Sequence, residues 1–128
     1  MKQYILDTNV FVRFFIKDIA DQAKKAEELL IEIEEERIKG WISILVLDEL
    51  IWTLENFYKL KRTEYIPHLI KLISLPNIAI IEIEKNKLIR IIELMEKNKI
   101  DFTDLYLLFI SENKKVFSFD KDFKKKIQ

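Results

Sequence analysis

Short apolar segments alternate along the chain with longer amphipathic stretches, and this alternation narrows the possible folds more than any other property of the sequence. The short segments are predicted strands at residues 4–6, 41–43, 78–83 and 116–119. The stretches between them carry apolar residues three or four positions apart, which is the spacing of one helical face. Strands that alternate with helices indicate βαβ units. We therefore expect an α/β fold with a central, mostly parallel sheet of four to five strands flanked by helices.

The predicted helices occupy most of the remaining chain. They span about 9–16, 20–39, 45–60, 63–74, 88–95 and 102–112, with a short helix around Phe123 at the C-terminal end. Gly40, the only glycine, is expected to end the second helix. Helix 102–112 is apolar on nearly every side and is expected to be buried. No linker or repeat interrupts the pattern, so we expect one domain over residues 1–128.

The composition excludes several kinds of chemistry. The chain has no cysteine, one histidine and one glycine. It therefore lacks a thiolate zinc site, a histidine cluster, and the several glycines of a Walker loop or a dinucleotide fingerprint. Carboxylates, hydroxyls and amides remain, so a catalytic metal would be a hard cation bound by oxygen.

The charge balance and hydropathy limit the partners. The 22 basic and 22 acidic side chains cancel, so net charge gives no support to a nucleic-acid partner, although separated patches can be hidden in the sum. No apolar run approaches the roughly 18 residues of a membrane span. The N-terminus has the pattern of a strand rather than of a signal peptide. We expect a cytoplasmic protein with no membrane partner.

Acidic residues follow the predicted strands. Asp7 and Asp120 come directly after the first and last strands, and Glu49 lies one turn into the helix after the second. Asp101 and Asp104 open the apolar helix 102–112. Ligands of an open parallel sheet bind beyond the carboxyl ends of its strands. We therefore expect these acids to converge on one edge of the sheet.

Each acid also has a purely structural interpretation. Asp7, Asp101 and Asp120 stand where helices begin and are suited to N-capping. Glu49 and Asp104 have apolar neighbours, and an unpaired carboxylate buried there would cost several kcal/mol. A bound cation would offset that cost. Acids in such a pocket are typical of a site for one or two Mg²⁺ or Mn²⁺ ions.

Four segments resemble a known family. Residues 5–10 (ILDTNV), 47–50 (LDEL), 101–105 (DFTDL) and 117–123 (FSFDKDF) are similar to motifs of PIN-domain ribonucleases, above all the VapC-type toxins of type II toxin–antitoxin systems. The resemblance covers the whole chain, in the family's order and at a length typical of these toxins.

The resemblance implies a set of site residues and a metal. Four acids are implied to bind Mg²⁺ (or Mn²⁺) and to activate the water that cuts RNA; they are Asp7, Glu49, Asp104 and Asp120. The implied supporting residues are Thr8, Asn9 and Ser118, with Asp101 as an alternative to Asp104 and Asp122 as an alternative to Asp120. We prefer Asp104 because an apolar run follows it, and Asp120 because it directly follows the strand.

The implied function is that of a metal-dependent endoribonuclease acting as the toxin of a toxin–antitoxin pair. The resemblance implies an RNA substrate, a homodimer and a cognate antitoxin protein. An apolar surface for these contacts is expected among five aromatic residues, with core packing as the alternative; they are Phe11, Phe14, Phe15, Trp52 and Phe57. Five basic residues are expected on the solvated surface, with an RNA track as the alternative; they are Arg13, Lys17, Lys59, Lys61 and Arg62.

Other functions stay open at this point. The chain could be a non-catalytic PIN-fold binding module, or an RNA-processing nuclease outside a toxin–antitoxin system. Phosphoryl transfer through Asp7 as a covalent nucleophile is less favoured, because phosphatases of that kind place a second aspartate where this chain has Asn9.

Overall fold

Three parallel strands form the centre of the computed structural model, which describes residues 1–119, and helices pack around them. In chain order the elements are β1 (Lys2–Ile5), α1 (Thr8–Ile16), α2 (Ala20–Glu34), β2 (Ile38–Ile42), α3 (Ile44–Trp52), a π-helical turn (Thr53–Phe57), α4 (Arg62–Ile73), β3 (Ile78–Ile80), α5 (Lys85–Lys97) and α6 (Phe102–Ile110). The predicted α/β class and the parallel sheet flanked by helices are confirmed.

The sheet has the order β1-β2-β3, so β2 is central. Ile5 lies opposite Trp41, and Ile42 lies opposite Ile80. The hydrogen bonds continue one residue beyond each outer strand, where the backbone N–H of Leu6 donates to Trp41 (2.9 Å) and that of Ile81 to Ile42 (3.1 Å). Parallel strands that end this nearly level place the residues that follow them at one edge.

The predicted number of strands is wrong for the part of the chain that the structure describes. Three strands are present there, and the segment predicted as the last one, 116–119, has no strand pairing. Its two phenylalanine rings, Phe117 and Phe119, are 86% and 92% exposed and pack edge to face against each other. The local apolar alternation is typical of a strand, but pairing requires backbone partners elsewhere in the chain. The predicted helix around Phe123 lies outside the described residues.

Gly40 has a different role from the predicted one. Helix α2 ends at Glu34, and Gly40 is a buried residue in the middle of β2. A Cβ atom on Gly40 would lie 2.9 Å from Cδ1 of Ile33 and 3.0 Å from Cδ1 of Leu6. The glycine is therefore needed because the last turn of α2 packs closely over the central strand, not because a helix stops there.

The predicted helix 45–60 is divided. Helix α3 ends at Trp52, and a π-helical turn follows, in which the N–H of Tyr58 donates to the carbonyl of Thr53 (3.1 Å). Lys59 then takes a left-handed backbone conformation, with φ of 58°. The wide turn changes which side chains face inward after α3, and its Glu55 contributes to the cluster described below.

The core lies between the sheet and the helices. Five residues with no exposed surface belong to this one apolar cluster, namely Ile33, Leu47, Leu54, Ile66 and Met95. Helix α6 was expected to be buried, but only Phe102 and Leu105 of it are, whereas Leu107 and Ile110 are about two-fifths exposed. No helix within residues 1–119 is long and apolar enough to cross a lipid bilayer.

The aromatic residues divide between the two interpretations. Phe11 is buried, and Phe14 and Phe15 pack partly against the core. Trp52 and Phe57 are 62% and 69% exposed. Core packing accounts for the first three, and only Trp52 and Phe57 remain available as an apolar surface.

Candidate active site

Asp7 follows β1 and begins α1. Its Oδ1 accepts a hydrogen bond from the backbone N–H of Thr8 (2.8 Å), so the structural interpretation of Asp7 as a cap is correct. Asp7 is nevertheless exposed, whereas Thr8 beneath it is 5% exposed. The buried Thr8 holds the backbone in place and leaves the carboxylate at the surface of the edge. Capping and metal binding by Asp7 are therefore compatible.

Glu49 lies in the second turn of α3 and opens into an acidic groove of about 440 Å³. Four acids line this groove, namely Asp48, Glu49, Glu55 and Asp101. Glu49 is exposed, so the argument that burial against apolar neighbours forces it to need a cation is wrong. Of the apolar neighbours expected to bury it, Leu45 and Trp52 are themselves 78% and 62% exposed, so this side of α3 faces solvent. The charge density of the groove remains as the reason for a cation.

Asp101 and Asp104 begin α6 in different environments. Asp101 stands at the N-cap position with extended backbone, but its side chain makes no capping hydrogen bond and lines the acidic groove. Asp104 lies in the first turn of α6 and is half-buried. Thr103 between them donates from Oγ1 to Oδ1 of Asp48 at 3.5 Å, which joins α6 to α3 across the groove. The cap interpretation of Asp101 therefore fails, and the groove is its observed environment.

Two further residues predicted from the sequence, Asn9 and Ser118, do not line the acidic groove. Asn9, in the first turn of α1, is exposed and lines a separate groove between α1 and α2, together with Arg13. Ser118 is exposed in the segment after α6, which forms no strand within the described residues. Asp120 and Asp122 lie outside the described residues.

The donor set can be tested against a hard cation. Asp7, Glu49, Asp101 and Asp104 offer only oxygen, which suits Mg²⁺ or Mn²⁺. Neither Asp7 nor Glu49 is in an ion pair with any residue in the range 1–119. Within that same range, no three acidic or histidine side chains are close enough together to hold a metal ion. The donors fit the metal chemically, but the described residues do not form a preassembled cage.

Sequence reasoning missed Glu82, which follows β3 at the same edge. Its Oε2 accepts from Ser43 Oγ (2.5 Å) and its Oε1 from the backbone N–H of Ile44 (2.8 Å). Glu82 therefore caps the start of α3 from the segment after β3, next to the positive end of the helix dipole, alongside the N-cap Ser43, whose Oγ accepts from the Leu45 N–H (3.2 Å). The predicted strand 78–83 included Glu82, so the signal that identified Asp7 was hidden; it appears only because β3 ends at Ile80.

Sequence reasoning also missed a cluster of Glu55, Arg62 and Tyr65 behind the groove. Glu55 Oε2 accepts from Arg62 Nε (2.9 Å) and from the Tyr65 hydroxyl (2.5 Å). Burial, with the neighbouring Glu55 carboxylate, raises the pKa of the Tyr65 hydroxyl well above its ordinary value. Arg62 was expected to be solvated or to contact RNA, but its side chain is only 22% exposed and is committed to this cluster. The π-helical turn places Glu55 next to Arg62, and no local sequence pattern predicts a π-helical turn at these residues.

These features define an α/β domain with an acidic groove lined by residues of α3, the π-helical turn and the start of α6. The family comparison agrees with this description, because the PIN domain family matches residues 4–127. The chain belongs to the PIN domain family, a superfamily of nucleases that typically use divalent metal ions. No curated protein and no solved structure gave a match to the chain.

Proposed function

We propose that the protein is a metal-dependent endoribonuclease that hydrolyses RNA phosphodiester bonds and serves as the toxin of a toxin–antitoxin pair. The observation that supports the proposal is the acidic groove lined by Glu49 and Asp101, in a chain that belongs to the PIN domain family. An acidic groove alone would repel RNA, so the proposal includes a cation that makes the groove attractive to phosphate.

The proposed metal ligands are Asp7, Glu49 and Asp104, with Asp120 as the fourth acid. Asp7 contributes a carboxylate oriented by the Thr8 N–H, and Glu49 contributes one from the rigid helix α3. Asp104 is half-buried in the first turn of α6, where loss of water strengthens its attraction for a cation. Thr8, Asn9 and Ser118 are proposed to support these acids.

The proposed reaction is hydrolysis by a water in line with the scissile phosphate, with no covalent intermediate. A bound Mg²⁺ or Mn²⁺ would lower the pKa of that water and offset the charge that develops on the phosphate. The carboxylates of this chain orient the water through hydrogen bonds and fix the reacting groups against the rigid carboxyl edge. The exposed ring of Trp52 lines the same groove and offers a surface on which a nucleobase can stack.

Cleavage of a labelled RNA panel tests the enzyme. The wild-type protein should cut in Mg²⁺ or Mn²⁺ and stop in EDTA. Asp7→Asn, Glu49→Gln and Asp104→Asn should each lower the rate at least 100-fold, because each loses one anionic ligand. Glu28→Gln, a substitution of an exposed glutamate on α2, is the matched control and should cut normally. Equal cleavage by Glu49→Gln, or cleavage that EDTA does not affect, would contradict the mechanism.

The toxin role and the partners need a separate test. We propose a homodimer and an antitoxin protein, for which Trp52 and Phe57 provide exposed apolar contacts. Induction of the protein in a bacterial host should arrest growth, and co-expression of a small open reading frame found directly upstream should relieve it. Cleavage without growth arrest or an antitoxin would favour an RNA-processing nuclease instead. Absence of both cleavage and Mn²⁺ uptake would favour a non-catalytic binding module.

A further inference from the structure

Arg62 forms hydrogen bonds with three backbone carbonyls at the end of α5 and in the connection to α6. Its Nη1 donates to the carbonyl oxygens of Met95 (3.0 Å), Asn98 (3.1 Å) and Ile100 (2.7 Å). Met95 lies in the last turns of α5, and Asn98 is the C-cap of that helix. Carbonyls at a helix end lack intrahelical partners, so one cationic nitrogen satisfies several of them at once. Ile100 directly precedes Asp101, the first of the two acids, Asp101 and Asp104, at the start of α6.

Glu55 fixes the orientation of the Arg62 guanidinium. Nε of Arg62 donates to Oε2 of Glu55 (2.9 Å), and the hydroxyl of the buried Tyr65 donates to the same oxygen (2.5 Å). The side chains of Arg62 and Glu55 are 22% and 24% exposed, so the pair is largely shielded from water. The planar guanidinium directs Nε to one partner and Nη1 to another, and a lysine ammonium cannot reproduce that geometry.

The cluster joins the two helices that carry the acids of the groove. Glu55 belongs to the π-helical turn that continues directly from α3, the helix of Glu49. Arg62 extends from the start of α4 to the residue before Asp101. Glu55 also lines the acidic groove, but its Oε2 already accepts two hydrogen bonds. Its role is therefore to hold Arg62, and the α6 acids are held relative to Glu49 through both residues.

We propose that Arg62, held by Glu55 and Tyr65, is a positioning residue that sets the distance between Glu49 and the acids Asp101 and Asp104, and thereby the affinity of the groove for a divalent cation. The inference rests on the proposed function and goes beyond it by assigning residues that touch neither metal nor RNA. Loss of outer partners of metal ligands typically weakens metal binding about 10- to 100-fold. Loss of Arg62 should therefore weaken metal binding more than it changes the rate at saturating metal.

The test compares Arg62→Ala, Arg62→Lys and Glu55→Gln with the wild-type protein. Calorimetry should show Mn²⁺ affinity about 10-fold or more lower in Arg62→Ala, with a smaller loss in the two conservative variants. Hydrogen exchange should become faster at the amides of residues 98–104. The Mn²⁺ concentration for half-maximal cleavage should rise by a similar factor, and excess Mn²⁺ should restore the rate.

Arg37→Ala is the matched control, because Arg37 pairs with Glu32 and Glu35 on the exposed end of α2. It should leave Mn²⁺ affinity and exchange at 98–104 unchanged. If Arg62→Ala does not fold, the two conservative variants carry the test. Wild-type Mn²⁺ affinity and wild-type exchange in folded Arg62→Lys and Glu55→Gln would overturn the inference. A wild-type protein that binds Mn²⁺ but cuts no RNA would instead overturn the proposed function, and the affinity and exchange data would still decide on Arg62.

Discussion

The hydroxyl of Tyr65 donates a 2.5 Å hydrogen bond to the carboxylate of Glu55, ten residues earlier in the chain. Tyr65 is 1% exposed, and the bond joins α4 to the π-helical turn. The same carboxylate accepts a hydrogen bond from Arg62, which in turn donates to the carbonyl of Ile100, the residue before Asp101. The buried Tyr65 hydroxyl is therefore linked to the start of α6 through Glu55 and Arg62. A phenol placed this way must stay protonated in the folded protein.

Stability should fall at high pH because of Tyr65. Burial and the Glu55 carboxylate raise its pKa in the folded state, while the unfolded chain keeps the ordinary value of about 10. The free energy of unfolding is therefore unaffected by Tyr65 ionisation below pH 10. Above pH 10 it falls by up to about 1.4 kcal/mol per pH unit, because the unfolded chain loses the phenol proton and the folded protein keeps it. Urea unfolding between pH 8 and 11 should show this extra slope in the wild-type protein and not in Tyr65→Phe. Tyr4→Phe, at an exposed position, should keep the wild-type slope, and equal slopes in all three proteins would refute the prediction.

Gly40→Ala should destabilise the protein by about 1–3 kcal/mol through overpacking. The new methyl group would lie 2.9 Å from Cδ1 of Ile33 and 3.1 Å from Cδ1 of Ile78. Ile33→Val removes the nearest of these atoms. The double variant should therefore lose less stability than the sum of the two single losses, measured by urea unfolding. Strictly additive losses would show that the contact with Ile33 is not the cause.

Glu82→Ala should cost about 1 kcal/mol of stability, because it removes one of the two side-chain caps of α3 and leaves only that of Ser43. The carboxylate accepts from both Ser43 Oγ and the Ile44 N–H, and these bonds join the end of β3 to the start of α3. Glu84→Ala is the control, since Glu84 occupies the N-cap position of α5 without a side-chain capping bond. Equal unfolding free energies for the two variants would argue against the cap.

Asp101→Asn and Asp104→Asn should separate the two candidate ligands of α6. The Asp101 side chain makes no capping bond, so its substitution should change stability by less than about 0.5 kcal/mol. Asp104 is half-buried, so its charge is less screened by water and its loss should reduce Mn²⁺ affinity more. Calorimetric titration of both variants measures this. A larger loss in Asp101→Asn would move the ligand assignment to Asp101, which lines the groove with Glu49.

Local sequence patterns were sufficient for the elements that depend on neighbours in the chain. The starts of α2 and α6, the presence of the first three strands and the placement of Asp7 after β1 all followed from apolar spacing and helix-start residues, but β2 begins three residues earlier than predicted and β3 ends three residues earlier. The strand predicted at 116–119 failed because pairing depends on distant backbone groups. The exposure of Glu49 was misjudged because its apolar neighbours Leu45 and Trp52 are themselves exposed and do not form a buried face.

The sequence by itself determined the α/β class, the oxygen-only donor chemistry and the family to which the chain belongs. Periodicity, composition and short motifs depend only on the order of residues in the chain, so they can be interpreted before the structure is known. Tertiary structure alone decided that Gly40 lies under α2, that Glu82 caps α3, and that Arg62 extends from α4 to the carbonyls before Asp101. Each of these contacts joins residues far apart in the chain, and their geometry exists only once the helices have packed on the sheet.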